Sequence, residues 1–178
     1  MAPDSKIIVI VRDPVERLYS DYLYFNDGHE IRTPQSFDIA TKKELKRMSE
    51  CLETHNLRRC CYATENDLEV RLYLGMYICF VRDWYELFRD NLLVVTLEEY
   101  SNQPIPVLRR IFRFIQVPAP DRDLFVDYVF STKPVQNARN KKNSLQGDML
   151  SATRKLLHDF YSPYNAQLAR LLNVTLPW

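Results

Sequence analysis

Residues 6–25 read KIIVIVRDPVERLYSDYLYF, and the fold follows from how this stretch divides. Ile7, Ile8, Val9, Ile10 and Val11 form an unbroken β-branched run. Such side chains suit a pleated surface, and a run without polar alternation predicts a strand covered on both faces. Asp13-Pro14-Val15-Glu16 then predicts a helix start. Asp13 can cap, Pro14 fits the first helical position, and Glu16 stands three residues after the cap. Val15, Leu18, Tyr19, Tyr22 and Leu23 follow at helical spacing and give one apolar face.

Two polar residues stand out in this frame. Arg12 lies at the carboxyl end of the strand, where open α/β sheets bind ligands. Ser20 lies two turns up the helix from Asp13 and on the same side. A guanidinium and a hydroxyl so placed can converge on one anion near a helix start, which itself favours negative charge. The competing reading is that Arg12 pairs with Asp13 or Asp21 while Ser20 is a solvated helix residue.

Around this stretch, 178 residues give room for one domain with a sizeable core. A hydrophobic content of 46% argues for a folded chain, and 3 glycines argue against low complexity. The net charge of +1 provides no overall basic field, so nucleic acid is not an expected partner and any anion site must be a local cluster. No stretch predicts a signal peptide or a membrane anchor. Cysteines stand at 51, 60, 61 and 79, with no CxxC pair and no His/Cys cluster, so no metal is expected.

Along the chain, residues 28–34 read as a loop and Ser36 to Ser49 as a helix. Val70, Leu74, Tyr77, Val81, Trp84 and Phe88 recur at fours and threes and predict the longest helix, over 70–88, with these aromatics in the core. LLVVTL, residues 92–97, predicts a second buried strand, followed by Glu98 and Glu99. Ser101 or Asn102 can cap the next helix, with Pro104 in its first turn. Ile105, Leu108, Ile111, Phe112 and Ile115 are its core stripe, and Arg109, Arg110 and Arg113 a solvated face. Two strand–helix units imply a parallel sheet with right-handed crossovers. A short helix is expected over 121–130, then a long basic loop, 131–147, holding Arg139, Lys141 and Lys142. A loop of that length inside a domain is often functional; the alternative is a solvated one. Two final helices, 152–161 and 165–172, are expected to break at Pro163. Asn173-Val174-Thr175 is a glycosylation sequon.

RDPVERLYSDYLYF resembles the 3′-phosphate-binding segment of Golgi carbohydrate sulfotransferases, in particular those acting on chondroitin sulfate. The likeness recurs in RLYLGMYICFVRDWYELF, in Gln136-Asn137-Ala138-Arg139 and in LHDFYSPYNAQLARLL. It implies an α/β, parallel-sheet, P-loop-NTPase-like domain, with residues 1–178 a single partial domain lacking its N-terminal strand and phosphosulfate loop. It implies that Arg12 and Ser20 hold the 3′-phosphate of 3′-phosphoadenosine 5′-phosphosulfate, and that Arg139, Lys141 and Lys142 belong to a loop folding over the nucleotide. It also implies a Cys51–Cys60 disulfide, where residue types alone leave ordinary thiols as the alternative. The partner it implies is a glycosaminoglycan of chondroitin or dermatan type, in the Golgi lumen, with the membrane met only through an anchor absent from this sequence.

The reaction centre is not legible in the chain. The resembled family places the phosphosulfate in a Gly- and Lys-containing loop and its catalytic carboxylate soon after, both upstream of the position matching Lys6. Here there is no GxxxxGK loop; the glycines are Gly28, Gly75 and Gly147. His29, His55 and His158 stand apart from any nucleophile motif, and the catalytic residue is expected upstream of Met1. The resulting expectation is a sulfotransferase whose retained part binds the 3′-phosphate. The alternatives are a non-catalytic module binding a nucleotide or sulfated glycan, and an interaction domain whose basic residues are solvated.

Overall fold

The structure, a computed structural model, describes residues 5–24, 32–63, 68–119 and 147–178. His29, the helix expected over 121–130, and Arg139, Lys141 and Lys142 lie outside the described residues. The chain divides into two compact units, residues 1–12 with 84–140 and residues 13–83 with 141–178.

The first unit holds the sheet. Strand β1 (Ile7–Val11) pairs in parallel with β2 (Leu92–Thr96), with Ile7 opposite Leu92 and Val11 opposite Thr96. Both apolar runs are strands, as their β-branched content predicts. Their burial is not as expected: Ile8 and Ile10 are 41% and 56% exposed, while Val11 is buried. Alternate residues of a strand face opposite sides of the sheet, so one side of β1 is open. At the end of β2, Thr96 accepts a hydrogen bond from the Glu99 amide at 3.0 Å and caps α5 (Leu97–Asn102). Ser101 and Asn102 are therefore inside a helix rather than capping the next one. That helix, α6 (Pro104–Phe114), starts at Gln103 without a side-chain cap, with Pro104 in its first turn. Val107 is its buried residue, while Ile105, Leu108, Ile111 and Phe112 are half-buried. Arg109 and Arg113 are exposed, and Arg110, with its side chain 41% exposed, forks onto Glu99 at 2.6 and 2.9 Å.

The second unit holds the core. Helix α1 (Pro14–Tyr24) buries the face its sequence predicts, with Leu18 and Tyr19 fully enclosed. Helix α2 (Pro34–Thr54) begins earlier than expected, because Thr33 and Ser36 form a reciprocal capping box around Pro34, and it ends later, at Thr54. The Tyr19 and Tyr22 rings stand 4.8 and 5.1 Å from that of Phe37 on α2. Each buried side chain of this size contributes about 1.5–3 kcal/mol relative to exposure. Helix α3 (Leu57–Tyr62) follows, capped by Asn56.

Two expectations fail here for a physical reason. The single helix over 70–88 is instead a 3₁₀ turn (Leu72–Gly75) followed by α4 (Tyr77–Phe88). Tyr161 donates its hydroxyl to the Leu72 carbonyl, and Arg17 donates to the Arg71 carbonyl. Both acceptors would otherwise serve a continuous helix. Trp84, expected in the core, is 42% exposed. Conversely, α7 (Ser151–Leu172) runs unbroken through Pro163. Pro163 has no N–H for the Asp159 carbonyl, a cost of about 3 kcal/mol in a helix interior. Thr153, Leu157, Tyr161 and Leu168 are fully buried on either side of it and offset that loss. Among the described residues no helix is long and apolar enough to cross a membrane.

Candidate functional site

The strand–turn–helix frame is formed as its sequence dictates. Asp13 accepts a hydrogen bond from the Val15 amide at 2.8 Å through its side chain, and from the Arg17 amide at 2.9 Å through its carbonyl. This is a side-chain cap with proline in the first helical position. Glu16 does not complete a capping box; it pairs with Arg154 of α7. Arg12 is half-buried just beyond β1, and Ser20 is exposed on α1.

Asp21, the residue after Ser20, is paired within its own unit. Arg71 takes it with both guanidinium arms, through Nε at 2.9 Å and through a second contact from Nη2. Arg17, one turn earlier on α1, lies 3.7 Å from the same carboxylate and donates to the Arg71 carbonyl at 3.0 Å. The Asp21 and Arg17 side chains are 13% and 18% exposed and that of Arg71 34%, so the carboxylate is largely desolvated while the fork keeps one edge toward solvent. No hydrogen bond or ion pair of the Arg12 guanidinium occurs among the described residues. These two arginines were not singled out by sequence, because Arg71 stands 50 residues from Asp21 and no local pattern joins them.

The bridge implied between Cys51 and Cys60 is present, with Cα atoms 5.9 Å apart, and links the end of α2 to α3. Cys61 and Cys79 are buried free thiols in hydrogen-bonding contact with each other. That contact and burial push the Cys61 thiol well above its ordinary range. His55 sits exposed at the end of α2, its Nδ1 2.7 Å from the Thr54 hydroxyl. His158 is exposed on α7. Glu99 is engaged by Arg110, whose hydrogen bond holds its carboxyl below the usual carboxylate range.

A sulfotransferase domain model matches residues 1–158. The chain is 33% identical over 174 residues to carbohydrate sulfotransferase 15 of Homo sapiens, covering 96% of this chain and 30% of that protein. It is 31% identical over 175 residues to the protein of the same name in Rattus norvegicus, again covering 96% and 30%. A Nototodarus sloanii protein of that name is 26% identical over 141 residues, 76% of this chain and 86% of that one. The chain thus spans under a third of the length of its mammalian relatives. Among solved structures, a sulfotransferase from Alicyclobacillus acidocaldarius shares the fold, with a TM-score of 0.64 and 23% identity over 98% of this chain and 57% of that one.

Proposed function

The chain belongs to the sulfotransferase family, and from that premise we propose that the protein transfers a sulfuryl group from 3′-phosphoadenosine 5′-phosphosulfate to a hydroxyl of a glycosaminoglycan. The acceptor we propose is of chondroitin or dermatan type, as for N-acetylgalactosamine 4-sulfate 6-O-sulfotransferases, whose motifs these residues resemble. Residues 1–178 act as one partial sulfotransferase domain. Arg12 and Ser20 bind the 3′-phosphate, and Arg139, Lys141 and Lys142 bind the nucleotide. Moving a charged sulfuryl group between oxygens needs fixed cationic and N–H donors and a base for the acceptor hydroxyl. The part proposed for this chain is positioning: a guanidinium beside a strand end and a hydroxyl on a capped helix fix the donor by its far phosphate.

The observation that carries this reading is the fate of the acidic neighbours. Asp13 caps α1 and Asp21 is forked by Arg71, while the Arg12 guanidinium has no hydrogen bond or ion pair among the described residues, which supports a role for it in binding an anion. The Cys51–Cys60 bridge fits an oxidising compartment such as the Golgi lumen. A second reading is a non-catalytic module binding a nucleotide or sulfated glycan.

Calorimetry with adenosine 3′,5′-bisphosphate on the full-length protein and its Arg12→Ala variant tests the proposal. A charge-assisted contact of about 1.5–3 kcal/mol corresponds to a roughly ten- to hundredfold loss of affinity. An unchanged affinity returns Arg12 to a structural role. Nucleotide binding without sulfate transfer by the full-length protein favours the module.

A further inference from the structure

Asn173-Val174-Thr175, which the proposed function does not use, lies just beyond the end of α7. It is the one N-x-S/T triplet in the sequence, and its middle residue is not proline. An oligosaccharide is bulky and needs open water, so the place of the triplet in the fold decides whether it can carry one.

The helix ends in a way that leaves the triplet's side chains unused. Asn173 adopts the left-handed conformation, with φ 52° and ψ 48°. Its amide bonds the Arg170 carbonyl at 3.3 Å, and the Val174 amide bonds that of Ala169 at 3.1 Å. Backbone groups alone make this helix end. Glycine is the ordinary residue at such a position and asparagine the next. Asn173, Val174 and Thr175 are all exposed, Val174 at 50%. Neither the Asn173 carboxamide nor the Thr175 hydroxyl makes a hydrogen bond among the described residues. The side chains that α7 buries are Thr153, Leu157, Tyr161 and Leu168, all before the triplet, so a group attached at Asn173 displaces no core contact. The same compact unit holds the Cys51–Cys60 bridge, which fits a compartment of the secretory pathway.

We propose that Asn173 is N-glycosylated, with the oligosaccharide supplied by a polyprenyl-diphosphate donor. The carboxamide nitrogen bonds to the anomeric carbon of the first sugar. The bond from that carbon to the diphosphate oxygen breaks, the lipid diphosphate leaves, and the nitrogen gives up one proton. Thr175 supplies the hydroxyl that makes the triplet an acceptor. The attached glycan keeps the end of α7 in water and screens the exposed Val174. The proposal rests on the reading above that the protein is made in an oxidising, secretory compartment.

The test uses the full-length protein made in cultured animal cells. It is treated with peptide-N-glycosidase in heavy-oxygen water, which leaves a labelled aspartate wherever a glycan was removed, and is mapped by mass spectrometry. The tryptic peptide beginning at Leu171 should carry the label at position 173 in most copies. Asn173→Gly, which keeps the left-handed turn, and Thr175→Ala should abolish glycan release from this peptide. Thr175→Ser, which preserves the triplet, should retain it. Cys51 and Cys60 are scored in the same sample. An unlabelled Asn173 with the bridge formed overturns the proposal and leaves the compartment reading standing. An unlabelled Asn173 with both thiols free overturns the two together. A label that persists in Thr175→Ala reports deamidation rather than a glycan and overturns the proposal as well.

Discussion

The hydroxyl of Tyr161 donates to the carbonyl oxygen of Leu72 at 2.8 Å, across 89 positions of sequence. Both residues are fully buried. The Tyr161 ring also lies against Gly75 so closely that a Cβ there would come within 2.7 Å of it. One side chain thus draws off a backbone acceptor and fixes which residue can stand three positions later.

Two substitutions separate those effects. Tyr161→Phe keeps the ring and strands the Leu72 carbonyl, so a loss of about 1–3 kcal/mol is expected in urea unfolding. Gly75→Ala keeps the hydrogen bond and forces the ring or the turn to move, with a similar expected loss of about 1–3 kcal/mol. If Tyr161→Phe were as stable as the wild type, the hydroxyl would have no part in holding the turn.

The same tyrosine sets an alkaline limit. Burial raises its pKa above the ordinary value of about 10. The unfolded chain then releases this proton first, so the contribution is complete below about pH 10 and is lost as pH rises further. Unfolding midpoints of Tyr161→Phe should fall less steeply than those of the wild type between about pH 10 and 11. Parallel slopes for the two proteins would exclude Tyr161 as their source.

At the acid end the sign reverses. Asp38 accepts hydrogen bonds from Lys42 at 2.7 Å and from the buried hydroxyl of Thr153 at 2.6 Å, and these hold its carboxyl below the usual range. A depressed carboxylate stabilises the fold above its unfolded pKa of about 3.9, and the benefit disappears as pH falls below that. Lys42 is exposed, so the expected effect is small, about 1 kcal/mol or less. Asp38→Asn should flatten the stability profile between about pH 4 and 2. A variant that loses stability in step with the wild type there would show that Asp38 is not the titrating group.

What the sequence disclosed was local. β1, the Asp13 cap and the buried face of α1 are written in adjacent residues and formed as expected. The Cys51–Cys60 bridge followed from a family likeness, not from spacing. The break at 72–76 was hidden because its cause, Tyr161, is remote in sequence. Pro163 misled in the opposite direction: local preference ends a helix there, but burial of Leu157, Tyr161 and Leu168 outweighs it. The fork of Arg71 on Asp21 was equally remote in sequence.

Thiol chemistry gives a direct check on the second unit. Cys51 and Cys60 are bridged, while Cys61 and Cys79 are 1% and 6% exposed. Burial and mutual hydrogen bonding keep the Cys61 proton on, and it is the thiolate that reacts. Protein made in an oxidising compartment should show almost no thiol reacting with a disulfide reagent when native, and two after denaturation. Four thiols on denaturation would mean the bridge had not formed. Reduction should lower stability by about 2.5–3 kcal/mol for so short a loop in the chain-entropy account.

The last prediction concerns catalysis by residues 1–178 expressed alone: no sulfuryl transfer should be detected. The proposed role of these residues is to hold the donor by its 3′-phosphate. Charge developing on the leaving phosphosulfate must be met by donors aimed at it, and the acceptor hydroxyl needs a base. Losing one such donor costs about a hundred- to a thousandfold, and a general base contributes about a hundred- to ten-thousandfold. The glycine- and lysine-bearing loop that would supply the donors is absent from this sequence. Of the acidic side chains after β2, Glu99 is occupied by Arg110. Radiolabelled transfer to desulfated and partially sulfated chondroitin should therefore give no product with residues 1–178, and turnover with the full-length protein. Robust turnover by residues 1–178 would mean that a base lies within them, and Glu98, Glu99 and His55 would be the first to substitute.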